Sequence, residues 1–145
     1  MPRVRPLLWF LERGLRLHAR FWKVRDVGRA GEDAAYFHLR RNGFTVVAQD
    51  WHDEYIPGDI DLVAWEGETL CFVEVKTRSS KGAFAAELAV DHDKQMQLHR
   101  MAEAYLRALP WRGGVQQPVA TRFDVVSVYL DSTQPDVRLL RDAFR

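Results

Sequence analysis

The spacing of apolar positions changes period along this chain, and each change marks an element. Residues 29–41, RAGEDAAYFHLRR, are Ala-rich with apolar Ala35 and Leu39 on one helical face, and Asn42-Gly43 supplies a stop. Residues 44–48 form a β-branched run that predicts a strand, and residues 49–57 are polar and turn-prone. Two further strands follow, over residues 60–65 and 70–76, and the Glu66-Gly67-Glu68 turn between them predicts a hairpin. Ser79, Ser80, Lys81 and Gly82 break the pattern, after which residues 83–90 read as a short helix. Leu98, Met101, Ala102, Tyr105 and Leu109 then recur at helical spacing. Residues 110–118, with Gly113-Gly114, read as a loop, residues 123–130 as a strand, and the chain after Pro135 as a weak strand or helix. No internal repeat is present.

Helix, three strands, helix and strand, in that order, describe an α/β domain. The first three strands form an antiparallel meander, while the helical crossover returns a later strand parallel, so the central sheet is mixed. One three-layer domain over residues 26–145 is expected. Ahead of it, residues 1–25 read as a basic amphipathic helix, with Leu7, Leu8, Phe10, Leu11, Leu15, Leu17, Phe21 and Trp22 interleaved with Arg13, Arg16, Arg20 and Lys23. Glu12, Arg13 and Gly14 interrupt its apolar tract, which fits a secretory signal poorly.

Composition narrows the class. With 145 residues, 47% hydrophobic and 28% charged, the chain buries a core without needing covalent staples. Its single cysteine, Cys71, excludes an internal disulfide and sits among apolar neighbours, which fits a buried thiol in a reducing compartment. No apolar run approaches the roughly 18 residues that span a bilayer, so a cytoplasmic protein is expected. The net charge of +1 conceals an asymmetry: residues 1–25 carry seven Lys/Arg and one acid, the remainder fourteen and nineteen. A basic arm on an acidic body fits contact with nucleic acid, an anionic membrane surface or a second copy of the chain, and equally a solvated or self-packed helix.

The chemistry lies in the hairpin. Residues two apart on a strand share a face, so Glu74 and Lys76 project together while Val73 and Val75 point away. Across the turn, Asp61 falls opposite the stretch from Cys71 to Glu74, its register left open by the spacing. Two carboxylates brought together there would suit a hard cation such as Mg2+ or Mn2+, with a backbone carbonyl next to Glu74 as a third oxygen. Lys76 could orient an attacking water or stabilise charge on a phosphorus centre. Glu32 on the first helix is a candidate third acid and Asp59 an alternative ligand or support. On spacing alone, a solvated Glu74/Lys76 ion pair worth at most about 1 kcal/mol explains the pattern equally well.

Four segments carry a family likeness: GRAGEDAAYFHLRRNGFTVV, PGDIDLVAWEGETLCFVEVKTR, KQMQLHRMAEAYL and RFDVVSV. Together they span most of residues 28–128, and the chain resembles the YraN-like family, which is similar to the PD-(D/E)xK nucleases and archaeal Holliday junction resolvases. The resemblance implies a restriction-endonuclease-like fold and a metal-dependent endonuclease acting on nucleic acid, DNA above all. It implies Glu32 as the acid of the first helix, Asp61 and Glu74 as metal ligands, and Lys76 as the catalytic lysine; the backbone carbonyl beside Glu74 in the cation reading above is that of Val75. The segment DWHDEYIPGDID departs from the family pattern: it lacks an Arg, is longer, and has Asp59 where Glu is usual. A non-catalytic scaffold recruiting DNA, membrane or a partner through the arm is the alternative.

The remaining polar and aromatic residues carry blander expectations. His52, His92 and His99 lack a ligand spacing and read as surface or helix-capping groups. Trp51, Trp65 and Trp111 read as packing residues, although each could stack on a base. Arg78 could meet phosphate or simply be solvated, and Lys94, Gln95 and Gln97 begin a helix that borders the site in the related nucleases.

Overall fold

The computed structural model describes residues 27–78, 90–110, 118–131 and 133–145. The expected arm over residues 1–25, all but the last residue of the helix expected over residues 83–90, and Trp111 lie outside them. The elements are α1 (Val27–Arg41), β1 (Thr45–Trp51), β2 (Ile60–Glu66), β3 (Thr69–Arg78), α2 (His92–Ala108), β4 (Ala120–Tyr129) and β5 (Asp136–Phe144). The strands form one sheet in the order β1-β2-β3-β4-β5. Pairing is antiparallel except between β3 and β4, which run parallel across the α2 crossover, so the sheet is mixed as the element order predicts.

The helix stop at Asn42-Gly43 has a defined geometry. Gly43 takes φ 89°, a left-handed conformation in which a side chain is strained. The Phe44 amide then donates to the Leu39 carbonyl at 3.1 Å and the Gly43 amide to Arg40 at 3.3 Å, the paired bonds of a Schellman close. Leu39 and Phe44, the residues bracketing that turn, are both buried in one core cluster. At the other helix, Asp91 caps α2 by accepting the Lys94 amide at 2.9 Å.

Strand alternation divides the core in two. Ala35, Tyr36 and Leu39 of α1 pack with Leu62, Ala64, Cys71, Val73, Val126 and Val128 on one sheet face. Leu98, Met101 and Ala102 of α2 pack with Val63, Leu70, Phe72, Phe123 and Val125 on the other. Helix, sheet and helix make the three expected layers. The chain after Pro135 resolves into a strand: β5 is half-exposed along its length, and its pairing to β4, which its own sequence does not encode, decides the outcome. β1 also extends past the expected boundary to Trp51, beyond an irregularity in its pairing between Val46 and Ala48.

One end of the sheet is closed by charge. Arg122 holds the fully buried Asp124 through two hydrogen bonds, at 2.7 and 2.8 Å, and reaches Glu66 at 2.5 Å. Arg141 adds bonds of 2.7 to 3.1 Å to Glu66, and the Asp142 amide donates to Asp124 at 2.9 Å. The two guanidiniums hold the Glu66 carboxyl down at about 2 against its ordinary 4.5. Cys71 is buried as expected, and burial together with nearby Asp124 pushes its thiol up to about 12, so it is inert as a nucleophile at neutral pH.

Candidate functional site

The opposite end of the same hairpin has the reverse character. The β2–β3 ladder includes Leu62 opposite Val73, and one further step of that register sets Asp61 opposite Glu74. The Val75 amide donates to Asp61 Oδ2 at 2.6 Å, so a side chain takes a ladder amide at the end of the strand pair. N–H and C=O of one strand residue point to the same edge, which directs the Val75 carbonyl toward Asp61 as well. Glu74 and Lys76 alternate in phase with Leu70 and Phe72 and so lie on the α2 face of the sheet.

The α2 helix contributes a residue the expectations left at the border. Lys94 Nζ lies 3.4 Å from Glu74 Oε2, with both side chains largely covered (27% and 14% exposed). The contact is one of charge: Glu74 Oε2 is buried and, among the described residues, has no hydrogen bond of good geometry. A solvated Glu74/Lys76 pair is therefore not what the strand presents. The signal was in the sequence, since Lys94 stands in phase with Leu98, Met101 and Tyr105 on the apolar stripe of α2. Ser127 is a second such residue. Its hydroxyl is fully buried and has no hydrogen-bond partner among the described residues, and β4 sets it beside Lys76.

Crowding of like charges in a half-dry place governs the electrostatics. Burial, then Glu74, push the Asp61 carboxyl up to about 7 from 3.8, against the pull of the Val75 amide, and Glu32 adds to the rise. Glu74 is also raised, by burial first, while Lys94 and Lys76 draw it down and Asp59 opposes them. Burial and the neighbouring Arg78 lower the Lys76 ammonium. Asp61, Glu74 and Lys76 are thus assembled, with Glu32 and Asp59 acting on them through the field. Among the described residues no group of three His, Cys, Asp or Glu encloses a cation position.

Two carboxylates and a backbone carbonyl are nonetheless a fit for Mg2+ or Mn2+. Mg2+ in particular is commonly held by one or two carboxylates, with water and substrate phosphate completing its octahedron. The unbonded Glu74 Oε2 and the raised Asp61 are what such a set shows when positive charge is short.

Residues 31–128 match the Uncharacterised protein family UPF0102. The chain belongs to that family. A UPF0102 protein of Koribacter versatilis (strain Ellin345) is 42% identical over 117 residues, covering 81% of this chain and 78% of the relative. One from Solibacter usitatus (strain Ellin6076) is 44% identical, covering 81% and 84%. One from Rhodococcus jostii (strain RHA1) is 36% identical, covering 81% and 95%. UPF0102, the YraN family, is generally assigned to the PD-(D/E)xK nuclease superfamily, and the α/β sheet described above is consistent with that fold. The UPF0102 match contains Glu32, Asp61, Glu74, Lys76, Lys94 and Ser127, and it ends before β5.

Other expected positions resolve as packing. Trp51 meets Tyr105 edge-on at 5.1 Å, and Trp65 is partly buried against the α2-side core. His99, partly exposed on α2, lies against Phe123 at 4.4 Å and Phe144 at 6.1 Å, a packing contact beyond the surface role expected of it. His92 opens α2 exposed, and His52 Nδ1 is 3.3 Å from the Asp50 carbonyl. No helix among the described residues is long and apolar enough to cross a membrane.

Proposed function

We propose that this protein is a metal-dependent nuclease hydrolysing phosphodiester bonds, with DNA as the substrate. The observation that carries the reading is Asp61, bonded to the Val75 amide one step beyond the Leu62–Val73 pair, lying beside Glu74, both raised, with Glu74 Oε2 buried and without a hydrogen bond of good geometry among the described residues. Asp61, Glu74 and the Val75 carbonyl would hold Mg2+ or Mn2+, which when bound supplies Lewis-acid stabilisation and a water of lowered pKa. Lys76, on the same face and one strand period from Glu74, orients the attacking water and neutralises charge gathering on the non-bridging oxygens. Its lowered pKa brings it nearer the range in which it exchanges a proton at working pH. Glu32 adds negative potential that favours a cation at Asp61. The test is incubation with branched, single-stranded and duplex DNA in Mg2+ or Mn2+, with Asp61→Ala and Lys76→Ala as controls. Cleavage that disappears in both variants is expected; activity equal to that of the variants ends the proposal.

The Lys94–Glu74 contact supports a second reading, because an ammonium already supplies part of the compensation a metal would give. On that reading the fold is a non-catalytic binding module, and residues 1–25 recruit DNA, a membrane surface or a second copy. DNA binding would then survive Asp61→Ala, vanish on deletion of residues 1–25, and fall steeply with salt.

A further inference from the structure

Beside the carboxylate pair, a cleft of about 370 Å³ opens between the β1–β2 loop and α2, lined by Ile56, Pro57, Asp93, Lys94, Gln97 and Arg100. Its size falls within the roughly 300–1,000 Å³ of small-molecule pockets. It is a built feature. Gln97 Nε2 donates to the Pro57 carbonyl at 2.8 Å, tying the loop to the helix. Gly58, at φ 107°, lets the loop approach so closely that a Cβ there would collide with the Gln97 amide. Asp53 accepts the Tyr55 and Ile56 amides at 2.8 and 3.1 Å, fixing a turn on which Tyr55 stands 85% exposed.

The cleft is continuous with the site through Lys94, which lines the one and contacts Glu74 in the other. Its wall joins an apolar surface, Ile56 and Pro57, to two cations and one acid. That combination suits a ligand that is flat and apolar in one part and anionic in another. We propose that the cleft receives the sugar and phosphate of an unpaired nucleotide flanking the scissile phosphodiester, the phosphate near Lys94 and Arg100, while its base leaves the cleft past Ile56 to stack on Tyr55, the exposed residue next in the turn. The proposal rests on the nuclease reading for its substrate class and adds a preference: the strand beside the cut must be single-stranded or splayed, because inside a duplex both faces of a base are covered by its stacked neighbours and none is open to a tyrosine ring.

The experiment measures binding, apart from cleavage. Fluorescein-labelled single-stranded DNA and the matching duplex are titrated with the full chain in EDTA, followed by anisotropy. Tyr55→Ala is expected to weaken single-strand binding by about 5-fold or more and duplex binding by less than about 2-fold, with Tyr55→Phe close to the parent. Arg100→Gln is expected to weaken binding and reduce the salt slope by about one phosphate contact. Because Tyr55 is exposed, melting temperatures should coincide with the parent. Equal loss on both DNAs, or no loss with Tyr55→Ala, overturns the subsite. A chain that binds single strands through Tyr55 but cuts nothing in Mg2+ or Mn2+ leaves the subsite standing and ends the nuclease reading. A chain that cuts DNA while Tyr55→Ala binds as the parent does the reverse. Binding to neither DNA ends both.

Discussion

Thr77 fills the space where a side chain on Gly31 would stand. A Cβ built on Gly31 meets Thr77 Cβ at 2.9 Å and Cγ2 at 3.0 Å, with Oγ1 closer still. The absence of a side chain at this position lets α1 rest on the end of β3, one residue after Lys76, and carries Glu32 with it.

Gly31→Ala therefore sets two effects against each other. Alanine gains about 1 kcal/mol of helix propensity, while overpacking costs about 1–3 kcal/mol. The contacts are with a β-branched side chain on a strand, so overpacking should win. Denaturant unfolding should show a net loss, and Thr77→Gly in the same chain should recover part of it. An unchanged midpoint for Gly31→Ala would mean the helix lifts away without penalty.

Asp61 predicts an unusual pH profile for the cation-free protein. Its carboxyl titrates near 7 when folded and near 3.8 when unfolded, so between these values the folded state binds the extra proton. This group's contribution is present at low pH and is lost as pH rises toward and past 7. Asp61→Asn should flatten the decline, read as melting temperature from pH 5 to 8. On the proposed function, Mg2+ or Mn2+ should raise the parent's melting temperature at pH 8 by about 3 °C or more and have little effect at pH 5.

Glu66 predicts the opposite slope. With a folded pKa near 2 and an ordinary value of 4.5, its stabilisation is complete above 4.5 and disappears as pH falls toward 2. Glu66→Gln should lower stability at neutral pH and narrow the gap from the parent in acid. Arg141→Ala should produce a weaker form of the same change, since Arg122 still holds Glu66. Acid titrations of the melting temperature compare the three chains.

Lys94→Met leaves Glu74 without its ion-pair partner while preserving the length of the side chain. A buried carboxylate so exposed to its neighbours should cost about 1–3 kcal/mol at pH 8. Lowering the pH, which protonates Glu74, should restore stability. Thermal melts at pH 5 and 8 distinguish this outcome from a simple packing defect, which would be independent of pH.

The hairpin was legible because Gly67 separates two apolar runs, and Gly43 marked the end of α1 just as plainly. Register was less accessible. A slip of one residue exchanges the two faces of a strand, and only the Leu62–Val73 pairing and the Val75 amide on Asp61 bring Asp61 beside Glu74. Lys94 contacts Glu74 across a crossover that no local pattern measures. Glu66 meets its arginines across 56 and 75 residues of sequence, a separation that leaves no periodic trace. β5 stayed ambiguous because a half-exposed edge strand has neither a clean alternation nor a helical stripe.

Strand β2 carries Glu66 at one end and Asp61 near the other, the first clamped by two guanidiniums and the second pressed against another acid. Its two ends should therefore open on different timescales. Amide exchange along β2 is expected to proceed fastest from Ile60 inward and slowest near Trp65, so the hairpin unzips from the carboxylate end while Glu66 anchors the turn.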